Sequence, residues 1–201
     1  MTRDDFNHNL APCETFELKL QFVQKFLFHG IPHVFQGREN DYFEFRNRIA
    51  NMFNIGFHEV FIVGSAKLGF SFYKDTKFTY DSDIDVVIVN EKLFEEFYLK
   101  ITDYQYQLDR LYKTVNLREL KVYAEFLRYL VKGWMRPDKL PTSFQVNLLK
   151  SEWFDFFESI SYEKSEVGNY KVAAGLFKNY NYLEKYYTKS IEDFYNSIKL
   201  N

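Results

Sequence analysis

The sequence predicts a mixed α/β (α+β) fold, a small mixed sheet flanked by N-terminal and C-terminal helices, and three observations predict it. Val60-Phe61-Ile62-Val63 and Ile84-Asp85-Val86-Val87-Ile88-Val89 are short apolar runs rich in β-branched residues and bounded by turn residues, which suits buried strands. On both sides of them apolar residues recur at three- and four-residue steps, the period of a helix with one face inward. A length of 201 residues with 46% apolar and 20% aromatic content supplies one sizeable core and fits one domain better than two. We therefore read residues 1–201 as a single domain, with helices over 14–55, a sheet-bearing core over 57–100 and a mainly helical part over 101–201.

Taken in order, Phe16, Leu20, Val23 and Leu27 predict a helix over residues 14–28, closed by Gly30-Ile31-Pro32. Tyr42, Phe45, Ile49 and Phe53 predict a second helix after Gly37, stopped at Gly56. The period then changes at Val60–Val63, a strand running into a turn at Gly64. Phe70–Tyr80 is a polar and aromatic connector long enough for a lid or binding loop, with no readable conformation. After the strand Ile84–Val89, Glu91–Leu99 starts a helical pattern, and Leu108, Leu111, Val115, Tyr123, Phe126 and Leu130 continue it across Tyr104–Met135, broken at Gly133 and Pro137. Val146–Ile160 reads as a helix. From Val172 through Ile198 the apolar residues after Gly168 follow a 3.6-residue period, which predicts one long final helix, with Tyr170–Phe177 the best residual strand candidate.

Several function classes are excluded early. No apolar stretch approaches the roughly 20 residues of a membrane span, and Met1-Thr2-Arg3-Asp4-Asp5 lacks the apolar run of a signal peptide, so the expectation is a cytoplasmic protein with no membrane partner. The lone Cys13 has no internal disulfide partner. A net charge of −2 provides no general field for a nucleic-acid backbone, so such contact needs a local basic patch. His29 and His33 are four apart, but Gly30 and Pro32 break the helix that zinc ligation at this spacing requires.

The chemistry concentrates between the two strands. Asp83 and Asp85 are two apart on a strand, so both project to one face and can hold a hard divalent cation together. Alone, Asp81-Ser82-Asp83 reads equally as an acidic turn cap. Gly64-Ser65, following the first strand, opens Ala66-Lys67-Leu68-Gly69, where backbone N–H groups and the hydroxyl can face a phosphate; alone it reads equally as a plain strand-to-helix turn.

Val63-Gly64-Ser65-Ala66-Lys67-Leu68-Gly69-Phe70-Ser71 followed by Ser82-Asp83-Ile84-Asp85-Val86-Val87-Ile88 resembles the signature of the DNA polymerase beta-like nucleotidyltransferase superfamily, over residues 60–90. The resemblance implies that fold, with Asp83 and Asp85 as catalytic residues holding Mg²⁺ or Mn²⁺ and Gly64 and Ser65 facing the phosphates of a nucleoside triphosphate such as ATP. Lys67, directly after the turn, is the best cation for that phosphate, against the reading of an ordinary surface lysine. The superfamily spans acceptors that are RNA, protein, nucleotide or small molecule, and the short helix-flanked chain resembles bacterial members linked to phage defence or toxin–antitoxin modules, so the acceptor and any protein partner stay open. Active members often add a third carboxylate from a later strand, and Tyr170–Phe177 contains none; Glu163, Glu166, Asp109, Glu119 and Glu125 have no spacing that separates a ligand from a solvated charge. Lys121, Arg128, Lys132 and Arg136 recur at one or two helical turns and form a basic stripe or a solvated face. Tyr180, Tyr182, Tyr186 and Tyr187 serve packing or base stacking. Two classes of function follow: a metal-dependent nucleotidyltransferase, or a nucleotide- or partner-binding module that has kept the fold with weakened catalysis.

Overall fold

The computed structural model describes residues 1–141, 144 and 149–199, with 149–151 described in backbone only. The described helices are α1 (Arg3–Leu10), α2 (Phe16–Val23), α3 (Glu39–Phe53), α4 (Gly64–Leu68), α5 (Glu91–Asp109), α6 (Leu117–Val131), α7 (Leu149–Ser159) and α8 (Tyr180–Lys199); the strands are β1 (Val60–Val63), β2 (Phe70–Ser71), β3 (Thr76–Lys77), β4 (Ile84–Val89), β5 (Trp134–Met135) and β6 (Val172–Phe177). The class is mixed α/β, as the sequence predicts.

The main sheet has the order β1-β4-β6-β5, and β2 and β3 form a separate hairpin. β4 pairs antiparallel with β1 (Val63 opposite Asp85) and parallel with β6 (Asp85 opposite Ala173), while β5 runs antiparallel to β6. The two central strands are buried on both faces, which is why Ile84–Val89 is apolar apart from Asp85. Strand alternation splits the core in two. Ile62, Ile84, Val86, Ile88, Val172 and Leu176 face Phe45 and Ile49 of α3, Phe94 and Phe97 of α5, and Trp153 of α7. Val63, Val87, Val89 and Phe177 face Leu183 of α8. A third cluster, around Phe6, Phe22, Phe70, Phe72 and Phe194, joins α1, α2 and the hairpin to the far end of α8.

Several elements differ from the sequence expectation. The long final helix is a strand followed by a helix: Val172–Phe177 pairs with β4 and β5, and α8 begins only at Tyr180. Leu176 and Leu183 match a helical period by coincidence, because backbone pairing between two strands outweighs a short run's intrinsic preference. Within 104–135, α5 runs to Asp109, the chain reverses through Leu111 at φ 59°, and Asn116 caps α6 through a reciprocal exchange with Glu119. Trp134–Met135 is an edge strand. The helix read over 14–28 is α2, capped by Thr15, continued by a π-helical turn at Gln24–Phe28. Asn54, left-handed at φ 51°, ends α3 two residues before Gly56. Helix α7 covers the expected segment from Leu149 to Ser159, and residues 146–148 lie outside the described residues. The connector forms the β2–β3 hairpin, turning at Asp75 with φ 52°. Among the described residues no helix is long and apolar enough to cross a membrane.

Candidate functional site

The start of β4 is held from two sides. Thr79 N–H donates to the Ser82 hydroxyl (3.0 Å) and Ser82 N–H to the Thr79 carbonyl (2.9 Å), closing the turn; Ile84 N–H donates to the Lys171 carbonyl (2.8 Å), fixing the strand onto the chain entering β6. With Ile84 and Val86 committed to the core, the two-residue period turns Asp83 and Asp85 together to the opposite face. Both carboxylates line a cavity of about 690 Å³ whose lining also includes Gly64, Arg136, Lys171 and Tyr187, together with Trp153 and Phe157 from the other side of the sheet.

Asp85 is solvent-accessible but sits in a concavity where protein displaces bulk water. That desolvation raises its pKa above the usual carboxylate range, the neighbouring Asp83 charge raises it further, and Arg136, Lys74 and Lys171 oppose the rise. Lys171 Nζ lies 3.8 Å from Asp83 Oδ2. Tyr187 is half-buried beside this group, and its hydroxyl is held well above the usual phenol range first by the protein enclosing it and then by the Asp85 charge.

Gly64 has two reasons to be glycine. Its φ is +64°, and a Cβ there would stand 2.9 Å from Asp85 Oδ2. The absent side chain keeps the space over that carboxylate open. Ser65, half-buried, follows in α4; its carbonyl accepts from Gly69 N–H (2.8 Å), and the residue does not line the cavity.

The structure takes Lys67 elsewhere. It is buried, and its Nζ donates to the carbonyls of His29 (2.5 Å) and Gly30 (2.8 Å), tying α4 to the segment after α2; burial pulls its pKa down to about 8. It does not line the cavity, because the inner side of so short a helix faces the N-terminal layer. The cations at the cavity are instead Arg136, which holds Asp138 through two bonds (3.1 and 2.8 Å) and lies over the Tyr129 and Trp134 rings, and Lys171. Lys171 was missed in the sequence because its place at the site depends on β6 being a strand parallel to β4. Its one signal is its position directly before the run Val172–Phe177.

The acids considered as a third ligand are used elsewhere. Glu166 is paired with Arg48 (2.5 and 3.2 Å), Glu125 with Lys139 (2.9 Å), Asp109 accepts from Gln105 (2.7 Å), Glu119 caps α6, and Glu163 sits in a turn at φ 66°. The residue beside Asp85 on β6 is Ala173. Asp138 and Glu158 are the other carboxylates lining the cavity, and no group of three or more His, Cys, Asp or Glu able to hold a metal occurs among the described residues. Of the tyrosines of α8, Tyr186 is half-buried and meets Trp134 edge-on at 4.6 Å, while Tyr180 and Tyr182 are exposed, Tyr180 donating to the His58 carbonyl (3.1 Å) and Tyr182 lying against Gly133. Of the five residues singled out in the sequence, the fold thus gathers Gly64, Asp83 and Asp85 at one cavity, keeps Ser65 beside it and sends Lys67 away. No protein-family model matches the chain, and no curated protein or solved structure does.

Proposed function

We propose that the protein is a metal-dependent nucleotidyltransferase that moves a nucleoside monophosphate from a nucleoside triphosphate to an acceptor, releasing pyrophosphate. The observation that carries this reading is the pair of Asp83, directly before β4, and Asp85 within it, both lining one cavity beside a glycine whose missing side chain leaves Asp85 Oδ2 accessible. The donor set fits a hard divalent cation: two carboxylates on one strand face, close enough that the charge of one raises the pKa of the other. Asp83 and Asp85 would hold Mg²⁺ or Mn²⁺, with phosphate and water oxygens completing its shell. When bound, such a cation neutralises charge on the transferring phosphoryl group.

The chain's own residues supply the rest. Lys171 and Arg136 line the same cavity and offer positive charge for triphosphate oxygens, with Arg136 exchanging Asp138 for substrate. The cavity wall holds the acceptor hydroxyl near the α-phosphorus, so that the new oxygen–phosphorus bond forms in line with the bond that breaks. Pyrophosphate leaves with that electron pair, and the hydroxyl proton passes to solvent in the cavity.

Ala173 beside Asp85, where a third carboxylate would complete the ligand set, favours a second reading: a nucleotide- or partner-binding module with weakened turnover. One experiment separates the two. Purified protein is incubated with each labelled nucleoside triphosphate and Mg²⁺ or Mn²⁺, beside the Asp83→Ala/Asp85→Ala variant, and pyrophosphate and labelled products are followed. Turnover by the wild type alone supports the transferase; saturable, metal-dependent binding without turnover supports the module. If nucleotide does not bind in a metal-dependent way, both are wrong.

A further inference from the structure

Helix α6 carries a second apolar face. Tyr123 and Phe126 are buried against α5 and the sheet, but Leu117, Leu120, Ala124, Leu127 and Val131 are all exposed, Leu117 at 80% and Val131 at 84%. Their spacing is three, four, three, four, the repeat that places residues in one narrow seam along a helix. Beside this seam, on the side away from the protein body, run Lys121 and Arg128, with Lys132 at the helix cap. These are three of the four cations read as a stripe in the sequence; the fourth, Arg136, belongs to the cavity.

We propose that the α6 seam docks a helix of a partner protein, one with its own apolar three–four repeat and a row of Asp or Glu on the flank that meets Lys121 and Arg128. Charge selects this occupant. A second copy lying antiparallel would bring two basic rows together, and like charges across such a seam oppose pairing. A lipid surface is matched by a broad apolar face bearing Trp or Phe, whereas this seam is narrow, aliphatic and bounded on one side by the protein itself. The strict repeat fits side chains of a second helix interlocking with those of α6, and the basic row sets the partner's sign. The seam lies on different residues from the cavity, so the proposal stands whether or not the nucleotide reading holds.

The test uses the full chain and two synthetic peptides of about 21 residues, three heptads long with Leu at the seam positions, one flanked by Glu and one by Lys. Labelled peptide is titrated and anisotropy recorded. The expected result is saturable binding of the Glu peptide, weakened at least about 10-fold by Leu120→Glu/Leu127→Glu and by raised salt, with little binding of the Lys peptide. The Lys121→Glu/Arg128→Glu variant should reverse the preference. Both substituted pairs are exposed, and circular dichroism with unchanged Tm establishes that the variants fold. Equal binding of both peptides, no binding of either, a dimer in sedimentation that the seam substitutions abolish, or binding to phosphatidylglycerol vesicles in place of the Glu peptide would each overturn the proposal.

Discussion

Gly64 concentrates the demands of the site into one position. Alanine there meets both a left-handed backbone and a contact of 2.9 Å with Asp85 Oδ2, so Gly64→Ala should cost about 1–2 kcal/mol of stability and weaken metal-dependent nucleotide binding at least about 10-fold. Denaturant unfolding and nucleotide titration measure the two effects separately. Asp85 carries the opposite trade. Its folded-state pKa is raised, so the apo protein's stability from this group is full at acid pH and is lost as pH rises through the raised value. Asp85→Asn should therefore raise the apo Tm at neutral pH, by on the order of 2 °C, and, on the proposed metal role, should remove the Tm increase expected of the wild type in Mg²⁺ or Mn²⁺. Melts in chelator and in metal test both halves; a metal-induced shift that survives the substitution would refute the ligand role. Lys67 predicts a pH window. Its pKa falls from 10.5 in the free side chain to about 8 in the fold, so the unfolded chain holds the extra proton between those values and stability from this group rises with pH across them, being lost as pH falls through about 8. The Tm difference between wild type and Lys67→Met should shift in favour of the wild type from pH 8 to pH 10, and a flat difference would mean that its two carbonyl bonds keep the ammonium charged.

Element placement follows from pairing more than from local preference. Strand β6 is the case with functional weight, because it brings Lys171 to Asp83 and sets Ala173 beside Asp85. Its neighbour β5 packs through Trp134, whose ring stacks on Phe177 (5.4 Å) with Nε1 over Gly175; a Cβ at Gly175 would stand 2.5 Å from that nitrogen. Gly175→Val should displace Trp134, cost about 1–3 kcal/mol, and loosen nucleotide binding by moving Arg136, two residues further along. Unfolding and nucleotide titration together check this, and loss of stability with unchanged affinity would show that Arg136 does not depend on β5. The strands Val60–Val63 and Ile84–Val89 were legible because a dense β-branched run bounded by turns admits few alternatives. Strand β6 was legible only as the residual candidate Tyr170–Phe177 beside a competing helical reading, since Ala173, Ala174 and Gly175 carry little side-chain preference for either state and pairing partners on both sides decide it. The two-residue strand β5 has too few residues for any period.

At the scale of the molecule, α8 ties the layers together. Its first half covers the Asp85 face of the sheet through Leu183 and Tyr187, and its second half packs Ile191, Phe194 and Tyr195 against α1, α2 and the hairpin. The cavity is accordingly walled by residues as distant in sequence as Gly64, Arg136, Lys171 and Tyr187. Such a site forms only when the whole chain has folded.

By itself the sequence determined the mixed α/β class, the strands β1 and β4, and the grouping of Gly64, Asp83 and Asp85, because strand period and turn chemistry act over a few residues and are written locally. Only the tertiary structure decided that Lys67 points into the N-terminal layer, that Arg136 and Lys171 are the cavity's cations, and that Ala173 lies beside Asp85. Each of these depends on which distant segment packs alongside, and that is settled by burial and strand pairing across the chain, which no local spacing encodes.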